Sequence, residues 1–250
     1  MRTVATVTFM LGLVLAIRAF ADDVVTQERD VDGFSGIAFS IPGDLHIEQS
    51  GNESLRVAAD ADVIDDIITE VEDGVLVIRR EGSLWSSRMG KVDVWVEIDD
   101  FESLALSGSG DADAGTIEAD DFALRVSGSG SVVFEALTCD EVDVALTGSA
   151  EVTIAELTAN RASTKIGGSG EVTWGGVVET QAVIISGSGD YHAADLESKE
   201  AEVVVSGSGD VDLRVEDELD AVVSGSGSIR YYGDPEVSKV IAGSGDVTRR

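Results

Sequence analysis

Four aspartates hold one fixed place in a repeated stretch of this sequence. Asp111, Asp190, Asp210 and Asp246 each follow a Gly-Ser-Gly triplet. Glu151 and Glu171 take the same place in two further copies, and Ser131 and Ser228 in two more. If the copies stack one per strand, the carboxylates form a column at roughly 5 Å spacing, where like charges repel by roughly 3 kcal/mol at an effective dielectric of about 20. Either solvent absorbs that repulsion or a cation does. Calcium takes oxygen ligands on turns, so a calcium ladder on Asp111, Asp190, Asp210 and Asp246 is the metal chemistry this pattern could support. Calcium-binding β-rolls, however, are built from nonapeptides with several glycines each. Here the period is about double, and half of the positions are not aspartate. The expectation is a solvated acidic edge with no resident cofactor.

Other chemistry is sparse. Cys139 is the sole cysteine and has no histidine near it in sequence, so it reads as a packed or idle thiol with no disulfide. His46 and His192 are the only histidines, and His192 falls on the outward phase of a strand. No nucleophile elbow, phosphate loop or zinc motif is present. A carbohydrate-active β-helix enzyme would need a carboxylate pair in a groove, and no long insertion exists to wall one. The chain therefore reads as a non-enzyme, with such an enzyme or a calcium-stabilised adhesin as the alternatives. The middle serines of the triplets, from Ser109 to Ser244, are expected to bond along the stack as a hydroxyl ladder.

The elements that must carry these residues follow from the period. The first glycine of each unit falls at Gly108, Gly128, Gly148, Gly168, Gly187, Gly207, Gly225 and Gly243, at intervals of 18 to 20 residues. A fixed period of that length marks stacked coils. Two residues before that glycine runs the column Leu106, Val126, Leu146, Ile166, Ile185, Val205, Val223 and Ile241. Four residues after it runs Ala112, Val132, Val152, Val172, Tyr191, Val211, Ile229 and Val247. Period two on both sides of a glycine corner means strands with one face inside. The reading is an all-β, right-handed β-solenoid, parallel β-helix-like, with coils of about 18–20 residues; the hand follows from the rule for parallel crossovers.

A second apolar column lies on the outward phase. Three residues before the corner the later units carry Ile184, Val204, Val222 and Val240. Such a stripe would expose a patch of a few hundred Å², which monomers seldom leave open, so these four residues are the interface candidate. The N-terminal strands folding back over it come first among its covers, then a second subunit in a homo-oligomer, then another partner. In the last unit the inward columns turn polar at Lys239 and Arg249, which suits a guarded end.

Residues 22–100 are strand-rich but less regular, with a turn at Pro42-Gly43-Asp44, a helical turn near Asp62 and a hairpin at Asp73-Gly74. No linker divides them from the eight repeats in residues 101–250, so residues 22–250 read as one domain. Residues 1–21 read as a signal peptide: a basic start at Met1-Arg2, an apolar run from Val4 to Ile17, and Ala19-Phe20-Ala21 before cleavage between Ala21 and Asp22. That predicts an exported protein of the periplasm, cell surface or extracellular space, with no transmembrane segment in the mature chain. A formal net charge of −31 argues against nucleic acid or anionic membrane as a partner.

The blocks "DVDGFSGIAFSIPGDLHIEQSG" and "ITEVEDGVLVIRR", followed by repeated "SGSGDV", resemble the bacterial putative auto-transporter adhesin family, the head GIN domain. The resemblance spans roughly Glu28 to Asp246. It implies a β-helix-like fold in an exported protein and brings no catalytic motif. The function expected is a cell-envelope binding or structural module displaying a rigid acidic surface, its ligand an unidentified protein or glycan.

Overall fold

The computed structural model describes residues 17–18, 24–81 and 90–250. Its N-terminal half comprises β1 (Ile17–Arg18), β2 (Val24–Arg29), β3 (Gly36–Phe39), β4 (Asp44–Gln49) and β5 (Ser54–Asp60). A 3-10 turn at Ile64–Asp66, where the helical turn is expected, leads to β6 (Ile67–Glu72), β7 (Val75–Arg80) and β8 (Asp93–Ile98). The repeat half comprises β9 (Ser103–Gly108), β10 (Asp111–Glu118), β11 (Asp121–Gly128), β12 (Ser131–Gly148), β13 (Glu151–Gly168), β14 (Glu171–Gly187), β15 (Asp190–Glu197) and β16 (Glu200–Gly207). It closes with β17 (Asp210–Arg214), β18 (Glu218–Gly225), β19 (Ser228–Tyr232), β20 (Glu236–Gly243) and β21 (Asp246–Arg249).

The repeats stack as a β-solenoid. Strands running into the Gly-Ser-Gly corner pair in parallel along one face, and strands leaving it pair in parallel along the other. Register follows the repeat: Gly108, Gly128, Gly148, Gly168, Gly187, Gly207, Gly225 and Gly243 lie side by side. Both inward columns are buried from Leu106 to Val223 and from Ala112 to Val247, forming one continuous core. Coil follows coil because a slip of one residue would turn every aliphatic side chain outward.

At the corner, the first glycine of each triplet has positive φ. The N–H of each following serine donates to the carbonyl of the glycine one coil back, at 2.8 Å from Ser129→Gly108 through Ser244→Gly225. The ladder at this edge is therefore made by the backbone. Among the described residues no bond joins the serine hydroxyls, which point to solvent, so the hydroxyl-ladder expectation is corrected. In the middle coils β12, β13 and β14 run 17 or 18 residues, so the second corner bends the chain without interrupting the strand.

The described strands of the N-terminal half do not fold back over the repeats. They extend the stack, and out of sequence order. β3 lies between β7 and β9, and β4 between β8 and β10, all in parallel. Beyond that coil β5 and β2 add antiparallel strands to β8, and β6 closes a hairpin on β7. The hairpin turns at Asp73-Gly74, both at positive φ, as the Asp-Gly pair predicts. These strands cap the end of the solenoid remote from Val240. The expected intramolecular cover of the outer stripe is thus overturned: apolar pairs at Ile37/Phe39 and Leu45/Ile47 find the core columns instead.

The expected leader at residues 1–21 and its cleavage point, Ala21 and Asp22, lie outside the described residues except for β1, a two-residue strand beside Val25 and Thr26. No helix among the described residues is long and apolar enough to cross a membrane.

Candidate functional site

The corner carboxylates do form a column, and it is longer than the repeats suggest. Asp44 pairs in register with Asp111 on one side and Asp93 on the other. From there the column runs through Ser131, Glu151, Glu171 and Asp190 to the coils carrying Asp210, Ser228 and Asp246. Asp44 and Asp93 escape sequence reasoning because their coil lacks the serine triplet; the Gly43-Asp44 pair was the available signal. Lys91 Nζ answers them, 2.9 Å from Asp93 and 3.7 Å from Asp44.

Geometry gives the aspartates a structural task. Asp111 Oδ1 accepts the backbone N–H of Ser131 at 2.8 Å, Asp190 Oδ1 that of Asp210 at 2.9 Å, and Asp210 Oδ1 that of Ser228 at 3.1 Å. Asp246, in the last coil, accepts the N–H of its neighbour Val247. Each carboxylate thus ties its coil to the next, or closes the end. Among the described residues no three His, Cys, Asp or Glu side chains converge as a metal site would require.

Two residues further on, a second outward column carries polar contacts near its two ends, with Val133, Thr153 and Thr173 between them. His46 lies beside Asp113, with Nδ1 2.6 Å from Oδ1, and stacks on Trp95 at 5.5 Å between ring centroids. The Arg56 guanidinium covers Trp95 at 4.2 Å. Both faces of the indole are therefore occupied by neighbours. At the far end His192 stands between Glu171 and Asp212, at 3.5 and 3.7 Å, on the outer surface as expected. Asp212 receives two bonds from Arg230, at 2.7 and 2.9 Å. Those bonds hold its carboxyl below the ordinary carboxylate range. These contacts run from coil to coil and aim at no common point.

Cys139 is buried, and desolvation, with Asp121 and Asp140 nearby, pushes its thiol up to about 11. It is a packed thiol. One polar cluster in the core has no obvious sequence signal: Gln181 Nε2 donates to Ser198 Oγ and to the Arg214 carbonyl, and Tyr191 donates to Gln181. Full burial raises the Tyr191 hydroxyl strongly. The cluster is closed on itself and braces the coils where Ser198 turns.

The outward aliphatic stripe forms a single row across coils. Ile184, Val204, Val222 and Val240 are consecutive cross-coil partners in one row. Ile184 is 42% exposed and Val240 61%, with Val204 and Val222 half-buried between them. Lys165 continues the row beyond Ile184, and before it come Ala145 and Arg125. The stripe therefore belongs to the last four coils alone.

No curated protein matches the sequence significantly. Solved structures do resemble this one along nearly their whole length. A putative lipid binding protein from Parabacteroides distasonis is 27% identical, with a TM-score of 0.86, covering 91% of this chain and 97% of its own. A putative adhesin from the same organism is 26% identical, with a TM-score of 0.85, covering 92% and 98%. A putative adhesin from Parabacteroides merdae, 22% identical with a TM-score of 0.85 over 91% and 96%, shares the fold. The family profile of the putative auto-transporter adhesin, head GIN domain, matches residues 33–155 and 144–235. The chain belongs to that family.

Proposed function

We propose that this chain is an exported, non-catalytic binding module of the bacterial cell envelope. It would act by presenting a rigid outer sheet face to a partner. The observation that carries this reading is the uncovered row of Ile184, Val204, Val222 and Val240 on an ordered sheet. Exposed β-branched residues in register cost solubility, and such patches mark interaction sites. The signal-like N-terminus and the adhesin description of the family support the same reading. The relative described as a putative lipid binding protein supports a second one, in which the stripe meets acyl chains.

The test is retention of the purified chain on isolated bacterial envelopes, compared with an Ile184→Ser/Val222→Ser variant of unchanged melting temperature. Retention by the parent chain and its loss in the variant is the expected result. Equal retention of both proteins would remove the stripe from the function. Release of soluble sugar from the envelopes by the chain would replace the reading with an enzyme.

A further inference from the structure

The binding role just proposed rests on the stripe, and the columns flanking the stripe describe its partner. On the strand-start side the neighbouring outward column reads Ala182, Glu202, Asp220 and Ser238, and the next reads Thr180, Glu200, Glu218 and Glu236. On the corner side stand Ser186, Ser206, Ser224 and Ala242. The aliphatic row is thus bordered by five carboxylates on one edge and by small neutral residues on the other.

Part of the acidic outer surface is paired with cations and part is not. Asp143 pairs with Arg125, Glu141 with Arg161, Glu179 with Lys199 and Asp212 with Arg230. Glu200, Glu202, Glu218, Asp220 and Glu236 have no cationic side chain paired with them among the described residues. They sit one coil spacing apart, about 4.8 Å, where like charges repel. A cleft of about 230 Å³ is lined by Glu200, Glu202, Glu218 and Asp220, and by Arg161, whose charge Glu141 partners.

We propose that this face docks a cationic amphipathic helix of a partner protein. The stripe offers one aliphatic residue every 4.8 Å or so, and a helix offers one ridge residue per turn of about 5.4 Å. Roughly three turns would lay their apolar side chains along Ile184 to Val240. Lysines or arginines on one flank of that helix would then meet the five carboxylates. An anionic lipid surface is repelled by the same groups, and a second copy of this chain would bring its own net charge of −31 against them.

The probe is a helical peptide of about 18 residues made of leucine at helical period and lysine, titrated into the intact chain by fluorescence anisotropy. Val222→Ser/Val240→Ser, which changes no charge, is expected to weaken binding about tenfold or more. Glu202→Gln/Asp220→Asn is expected to weaken it and flatten its dependence on salt. A leucine–glutamate peptide should not bind. Peptide affinity unchanged by the valine variants would overturn the proposal, since any cation is drawn to so acidic a chain. So would binding of neutral phosphatidylcholine vesicles that the valine variants abolish, or a sedimenting dimer that Val240→Ser dissociates. Envelope retention lost in the stripe variants while peptide affinity stays unchanged would defeat this partner and leave the binding role standing.

Discussion

Gly128 shows how much one missing carbon decides. A Cβ there would lie 2.0 Å from the Gly108 carbonyl oxygen, on a residue whose φ is +131°. Gly108 itself, at φ +99°, would meet nothing within 4 Å. Gly128→Ala is therefore expected to cost on the order of 3 kcal/mol, through strain and crowding together. Gly108→Ala should cost about 1 kcal/mol, from strain alone. Urea midpoints separate the two, and equal losses would mean that crowding between coils relaxes freely. The corner carboxylates are resolved in the same way. Asp210→Ala removes the acceptor for the Ser228 N–H and should cost about 1 kcal/mol, whereas Asp210→Asn keeps that oxygen and should cost far less. Calcium should then raise the melting temperature no more than magnesium does at matched ionic strength. A calcium-specific rise that Asp210→Asn abolishes would return the column to metal binding.

Strands carry the charge ladders because side chains at one phase of every coil meet their counterparts in the next. Asp212 on β17 and Arg230 on β19 are such partners. The Asp212 carboxyl sits below its ordinary value when folded, so unfolding lets it take up a proton more readily. Its contribution is whole above the ordinary carboxylate value of 3.8 and fades as pH falls through the lowered one. Asp212→Asn should thus reduce stability at about pH 6 and make the loss on acidification toward about pH 3 shallower. Parallel urea titrations at those two pH values measure this, and identical acid limbs would assign acid sensitivity to other carboxylates. The long strands β12 to β14 show the opposite economy, passing the second corner without a break on inward Leu137 and Leu157, with Gly176 next in register.

The whole molecule is asymmetric end to end. Antiparallel β2, β5 and β6 close one end, while at the other β20 and β21 pair with no further strand among the described residues. There Lys239 stands where earlier coils place Leu, Val, Thr or Ala, and its Nζ reaches the Val247 carbonyl at 3.1 Å. Arg249 takes the matching place on the other face and pairs with Asp234. Charges at these positions of the coil oppose the stacking of another strand on it. Lys239→Leu/Arg249→Val is expected to convert the chain to end-to-end oligomers visible by sedimentation velocity. A variant that stays as the parent does would place the barrier to growth elsewhere, in the net charge.

Much of this was legible in the sequence because a solenoid is nearly one-dimensional. The Gly-Ser-Gly period sets which residues are neighbours, and alternation sets which face inward; Leu106 to Val223 and the stripe from Ile184 to Val240 follow from those two facts alone. The N-terminal half obeys no such rule. That β3 and β4 insert between β7–β8 and β9–β10, and so bring Asp44 beside Asp111 and Asp93, depends on pairings distant in the chain. A strand's alternation says which of its faces is buried but not which neighbour it pairs with. The closed Gln181–Tyr191–Ser198 cluster and the aspartates' bonds to the next coil's N–H were equally beyond reach, since they turn on distances of a few ångströms that only the stacked coils create.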